Sequence, residues 1–341
     1  MRAAEQRLEA VPAVGAGLGV EDYLEFLAKE YLAGFVRHGG AAVKVVVAGD
    51  DDVARRFHAG LASDAAGEGF VYAAVDAATT RAHLADQLFF AIAAQVDWTA
   101  LASRAVRAAY DAAAFPAPEP PGDLTVAAVA AHYEVDAREL YRSVRRALEH
   151  ALLGATELAH EFRLAMLRLC QAELGVGEVD VAERDAVLSW LRGEKVALAL
   201  LRRSLIYGRI GRHSAQAMLT SLSSWLARLG HGGLVLDIDL ARLAVGRRPP
   251  VVQREGVYYS KAAVLDAYEV VRQLIDATDV LSAAMVVVVV SPELLTDEVR
   301  GLPAYSALHL RVADEVRDRR LPNPYAGLVR LETRLEAVAA R

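Results

Sequence analysis

Residues 43–61 read VKVVVAGDDDVARRFHAGL, and the order of their parts decides the architecture. The first seven, VKVVVAG, are dominated by β-branched residues, the composition of a parallel strand buried on both faces. Helical spacing takes over at about Val53 and runs to about residue 62. After a turn at Gly67 and Gly69, FVYAAVD (residues 70–76) supplies a second strand. Strand, helix and strand form a β-α-β unit. Upstream, EDYLEFLAKEYLAGFVR (residues 21–37) has apolar groups at helical spacing, with Glu21 and Asp22 where a helix dipole favours negative charge. Downstream, residues 79–224 are helical in period, interrupted by FPAPEPPGD (residues 115–123) and by Gly175, Gly177 and Gly193. Strands resume with GLVLDID (residues 233–239) and AMVVVVV (residues 284–290), and a helix over about 261–278 lies between them.

Alternating strands and helices, each strand a nearly continuous apolar run, predict an α/β fold: a parallel sheet with helices on both faces and a large all-helical insertion. The expected organisation is an N-terminal helical segment (1–38), the first half of the sheet domain (39–78), the insertion (79–224), and the second half with C-terminal helices (225–341). The 341 residues carry 38 Lys and Arg against 44 Asp and Glu, a formal net charge of −6, so no global basic field points to nucleic acid. Cys170 is the single cysteine, which excludes an intrachain disulfide and a cysteine-built metal site. The first thirty residues mix Arg2, Glu5, Arg7 and Glu9 with short apolar pieces, unlike a signal peptide. The longest apolar run, residues 283–290, is far short of the roughly 20 residues of a membrane span. A cytoplasmic protein with no membrane partner is expected.

A loop between a buried strand and a helix is where nucleotide phosphates are cradled by backbone N–H groups, a helix N-terminus and a lysine. Here that position holds Gly49, Asp50, Asp51 and Asp52. Three carboxylates repel a triphosphate, and side chains in place of glycines restrict the backbone of a phosphate nest. Arg55 and Arg56 are the nearest replacements for the lysine, but they sit inside the helix and place charge differently. The simpler role of the aspartates is to cap the helix. The later strand repeats the pattern. It ends in Asp239 followed by Leu240, where an ATPase has Asp to hold Mg²⁺ and Glu to polarise water. Asp237 shares the face of Asp239; a strand-end carboxylate bonded to neighbouring backbone is its expected state.

At this point the sequence resembles the ATP-binding proteins of BREX-type bacteriophage-defence systems, P-loop ATPases related to AAA+ proteins. The resemblance lies in HGGAAVKVVVAG, WLRGEK (residues 190–195), IYGRIGRHSAQAMLTSLSSWLARLGHGGLVLDID (206–239), AYEVVRQLIDATD (267–279) and SPELLTDEVRGLPAYSALHLRV (291–312). The family pattern, Gly-x-Gly-Ser-Gly-Lys-Ser/Thr and then Asp-Glu, is absent here except for Asp239. The resemblance implies a sensor of the γ-phosphate at Ser291, otherwise a turn former, and basic fingers at Arg300 and Arg311, otherwise surface salt-bridge formers.

Two other surfaces stand out. LTVAAVAAHYEVDARELYRSVRRALEHALL (residues 124–153) has the shape of a helix-turn-helix DNA reader, with Arg138, Arg142, Arg145 and Arg146 on its second helix, although Glu134 stands where the turn often has glycine. LLRRSLIYGRIGRH (residues 200–213) gathers Arg202, Arg203, Arg209, Arg212 and His213 into a basic stripe for phosphates or an acidic partner. The histidines show no metal-binding spacing. The expectation is a catalytically degenerate subunit without cofactor or metal, paired with another ATPase, helicase or nuclease. The alternatives are a divergent ATPase using ATP and Mg²⁺, and a DNA-binding module acting through the insertion.

Overall fold

The computed structural model describes residues 17–118, 122–246, 249–250, 252, 255–312 and 323–332. The N-terminal readings at residues 1–16, and parts of the Pro-rich and Arg-rich loops, lie outside these. The sheet has six strands, all parallel, in the order β1 (Leu18–Gly19), β6 (Leu328–Glu332), β2 (Ala41–Ala48), β5 (Ala284–Val290), β4 (Leu234–Asp239) and β3 (Val71–Asp76). Every residue of β5 is buried, as expected of a central strand written almost wholly in valine. The parallel register aligns Asp76 with Asp239, Asp239 with Val289, and Val47 with Val290. The carboxyl ends of β2, β3, β4 and β5 therefore form one rim. In an open parallel sheet that rim is where ligands bind.

One face of the sheet is covered by α1 (Val20–Phe26), which widens into a π-helical stretch (Leu27–Ala33), and by α2 (Asp51–Gly67). Val53, Phe57, Leu61 and Ala65 of α2 are fully buried against Val46, Val235, Met285, Val287 and Val289. Burial of each large chain contributes roughly 1.5–3 kcal/mol. Tyr23 stacks on Phe57, and at Gly60 a Cβ would strike the Leu24 side chain, so glycine sets how closely α1 lies on α2. Lys44, buried in β2, donates to the carbonyls of Tyr325 (2.6 Å) and Ala326 (3.0 Å), tying the segment before β6 to the sheet.

The insertion between β3 and β4 comprises α3 (Ala85–Ala93), α4 (Trp98–Ala112), α5 (Val126–Tyr133), α6 (Ala137–Leu153), α7 (His160–Glu173), α8 (Val181–Leu191), α9 (Leu198–Arg203) and α10 (Arg212–Arg228). It does not hold a core of its own. Leu88, Phe162, Val187 and Leu222 belong to the same apolar cluster as Val45, Val75, Leu236 and Val288 on the second face of the sheet. The helices α11 (Lys261–Asp276) and α13 (Ser306–Val312) complete that layer, with the short α12 (Glu293–Thr296) after β5. The exposed edge of β3 is capped by Gln95, which both accepts from Ala74 N and donates to Ala74 O.

The α/β architecture matches the expectation, with two strands more than the four apparent in sequence. β6, LVRLE, lies within a region expected to end in helices. It is short and half-buried and carries Arg330 and Glu332, so it lacks the apolar run that marks its neighbours.

Candidate functional site

The loop after β2 and the end of β4 meet at the rim. Asp50 adopts an extended backbone at the N-cap of α2, and its Oδ1 accepts from Asp52 N (2.9 Å) and Val53 N (2.8 Å). These are the amides that a helix N-terminus offers to an anion; in this chain a carboxylate of the chain itself takes them. Gly49 N donates to Leu331 O (3.1 Å), which seats the loop on β6. Asp51 is exposed. Asp52 pairs with Arg55 (3.0 Å) and Arg56 (3.4 Å), and Arg56 also reaches Glu21 on α1 (3.1 Å). Neither arginine stands free over the loop.

Two turns along α2, His58 faces β4. Its Nδ1 lies 2.7 Å from Asp237 Oδ2 and its Nε2 lies 3.5 Å from Asp239 Oδ2, so one imidazole bridges both carboxylates. Asp237 is only 1% exposed and accepts a second hydrogen bond from Tyr72 OH on β3 (2.7 Å). Burial disfavours the His58 cation, but the hydrogen bond to Asp237, the close approach of Asp239 and the negative charge of both outweigh it, and the pKa is pushed up to about 10. The ring is therefore an imidazolium at neutral pH. Burial and the Asp237 charge push the Tyr72 phenol up as well, keeping it a donor. Asp239 also accepts from Ala241 N (2.8 Å). The expected state of Asp237, bonded to neighbouring backbone, is thus corrected: its partners are side chains from α2 and β3, because a carboxylate this deeply buried needs charge and donors aimed at it. His58 and Tyr72 are not legible as site residues on their own. The available signal is Asp237 itself, an acid inside an apolar strand facing the helix that carries Phe57 and His58.

Leu240 is buried, its side chain turned into the apolar layer with Leu243, so no group capable of polarising water follows Asp239. What the rim contains is an anion bound to the helix N-terminus and a cation held between two acids, both supplied by the chain.

The sequence profile of the family described as BREX system ATP-binding protein BrxC/D matches residues 123–338, which take in α5 through β6. The chain belongs to this family. Membership ties it to a BREX phage-defence system. The matched span includes Asp237, Asp239 and the insertion from α5 onward, while the loop at Gly49–Asp52 lies before it. No curated protein and no solved structure matches the chain.

The remaining BrxC/D positions singled out in sequence fall as follows. Ser291 directly follows β5 and its carbonyl accepts from Leu294 N (3.1 Å), opening α12. Arg300 is not a surface salt-bridge former: Nε donates to Leu243 O (3.0 Å) and an Nη to Tyr259 O (3.0 Å), and Tyr268 OH donates to Arg300 O (2.7 Å). Its partners are carbonyls because it sits under the loop that follows β4. Arg311 does form an ion pair, with Asp276 of α11 (2.6 Å). In the insertion, Arg203 pairs with Asp180 (2.8 Å) and lies 3.5 Å from the buried Glu183, while Arg202, Arg209, Arg212 and His213 are exposed. The α5–α6 turn is formed despite lacking glycine, with Glu134 in the left-handed region at φ 54°. Among the described residues no helix is long and apolar enough to cross a membrane.

Proposed function

We propose that this chain is a non-catalytic P-loop-type subunit of a BREX system, working in the cytoplasm as a structural or regulatory partner of an ATPase, helicase or nuclease. One observation carries the reading: the two charges a nucleotide would bring, phosphate and divalent metal, are both substituted by side chains. Asp50 occupies the amides of the first turn of α2, and the His58 cation lies between Asp237 and Asp239. A site satisfied in this way gains little from Mg-ATP, which has to displace a carboxylate and break a buried ion pair before making its own contacts. Leu240, in place of a water-polarising acid, removes hydrolysis from the same rim. In the proposed division, 39–78 and 225–341 are the two halves of the scaffold, 1–38 is an N-terminal segment and 79–224 is the insertion. Calorimetry of the full chain with Mg-ATP tests the idea. The expected result is no heat of binding at micromolar concentrations and no released phosphate. Micromolar binding with turnover overturns it.

A further inference from the structure

The insertion carries a surface that the nucleotide site does not explain. Val126, Val129 and Ala130 of α5, and Leu140, Val144, Leu148 and Leu152 of α6, are buried in the common core, so the two helices are held at a fixed angle. The turn between them is short. Glu134 takes the left-handed conformation, Val135 N donates to Ala130 O (3.1 Å), and Asp136 caps α6 by accepting from Arg138 N (2.9 Å) and Glu139 N (3.0 Å). The 17 residues of α6 span about 25 Å.

On the opposite face of α6, Arg138, Arg142 and Arg146 follow at intervals of four, which aligns them in one stripe. All three are exposed, and among the described residues none of their guanidinium groups has a hydrogen bond or ion pair. Neighbouring arginines behave differently. Arg145 is tied to Glu149 (2.8 Å), Arg168 to Glu183 (2.8 Å) and Arg203 to Asp180 (2.8 Å). Of the acids near the stripe, Glu149 is paired with Arg145 and Asp136 accepts from the first amides of α6, which leaves Glu134 and Glu139 against three arginines. Tyr141, at the edge of the stripe, is held by Glu178.

A cationic helix presented as the second member of a rigid helix-turn-helix fits the major groove of duplex DNA, which is wide enough to admit one helix. We infer that α5 and α6 form a DNA-docking element, with Arg138 and Arg142 in the N-terminal half of α6 facing base edges and Arg146 facing phosphate. Arginine suits both tasks, because its planar fork matches guanine edges and phosphate oxygens alike. Against an overall charge of −6 the stripe is a local cationic field, one of two with the stretch at Arg202, Arg209 and Arg212. The inference is independent of whether nucleotide binds at the rim.

The test uses the full chain and fluorescently labelled mixed-sequence duplexes, with anisotropy measured from 50 to 200 mM salt. Wild-type protein is expected to bind in the micromolar range, with an affinity that falls steeply as salt rises. The triple variant R138Q/R142Q/R146Q is expected to bind at least tenfold more weakly, and its logarithmic salt slope to shrink by about 1 for each phosphate contact removed. The exposed pair K29Q/K261Q, outside both arginine-rich stretches, is the control, expected to stay within twofold of wild type. Unchanged circular dichroism and urea midpoint establish that the triple variant is folded. A lysine version, R138K/R142K/R146K, is expected to restore salt-dependent binding. Three results overturn the inference: no binding at 50 mM salt, a triple variant that binds as wild type does, or a control that loses as much as the triple variant. It is equally overturned if the α6 arginines are needed for co-purification with another protein subunit but not for duplex binding.

Discussion

Substituting His58→Ala removes the cation between Asp237 and Asp239 and leaves Asp237, 1% exposed, with Tyr72 as its only hydrogen-bond donor. Removing one partner of a buried ion pair costs about 3–5 kcal/mol. The His58 side chain is 25% exposed, so water enters the gap and the lower end, about 3 kcal/mol, is expected. The pH dependence is the sharper signature. His58 is raised from 6.5 to about 10, so its contribution is complete below the unfolded value and is lost as pH climbs through the folded one. At about 1.4 kcal/mol per unit the shift sets a ceiling of about 5 kcal/mol, consistent with the estimate from the broken pair once exposure is discounted. Urea denaturation of wild type and His58→Ala at pH 6, 7.5 and 9 measures the difference directly. The stability gap is expected to be about 3 kcal/mol at pH 6 and to narrow by about 2 kcal/mol at pH 9, because above the unfolded value of 6.5 only wild type must take up a proton to fold. A gap below about 1 kcal/mol at pH 6, or one independent of pH, refutes the bridging cation.

Three further outcomes follow from local geometry. Asp50→Ala removes the α2 cap and is expected to cost about 1 kcal/mol, read as a lowered urea midpoint with an unchanged m-value. Glu183→Ala removes a carboxylate with 1% side-chain exposure that receives Arg168 and Ser204; Arg168 keeps Gln171 and the more distant Glu178 (3.8 Å), so the loss is expected at the low end, about 3 kcal/mol, visible in thermal unfolding. Gly233→Ala places a side chain at φ 125° and drives its Cβ into the Ala283 carbonyl, which also accepts from Leu234 N (2.9 Å). Backbone strain alone is about 1–3 kcal/mol, and a marked loss of soluble protein is the expected readout.

The parts visible in sequence and the parts hidden from it separate on physical grounds. β2, β4 and β5 announce themselves because a parallel strand buried on both faces is a nearly continuous apolar run, interrupted here only by Lys44 in β2 and by Asp237 and the strand-end Asp239 in β4. β6 escapes because alternating Arg330 and Glu332 give it the pattern of a solvated segment. The loop at Gly49–Asp52 shows its lack of glycines and lysine in the letters alone. What the aspartates do requires the backbone, since only the geometry shows Asp50 on the amides of α2. The partners of Asp237 lie 179 and 165 positions away, beyond any local periodicity. Arg300 differs from expectation for a related reason: charge suggests a carboxylate partner, whereas the loop after β4 supplies carbonyls. At Glu134 the absence of glycine proved weak evidence against the turn, because the packing of Val135 and the cap at Asp136 hold the left-handed residue in place.

The single apolar mass shared by the insertion and the sheet has a mechanical consequence. Among the described residues the inserted helices and the strands they cover share one close-packed apolar cluster, so relative sliding would open voids in it. α6 packs on α4 and α7, α10 packs on the strand that carries Asp237, and all of them share one apolar cluster.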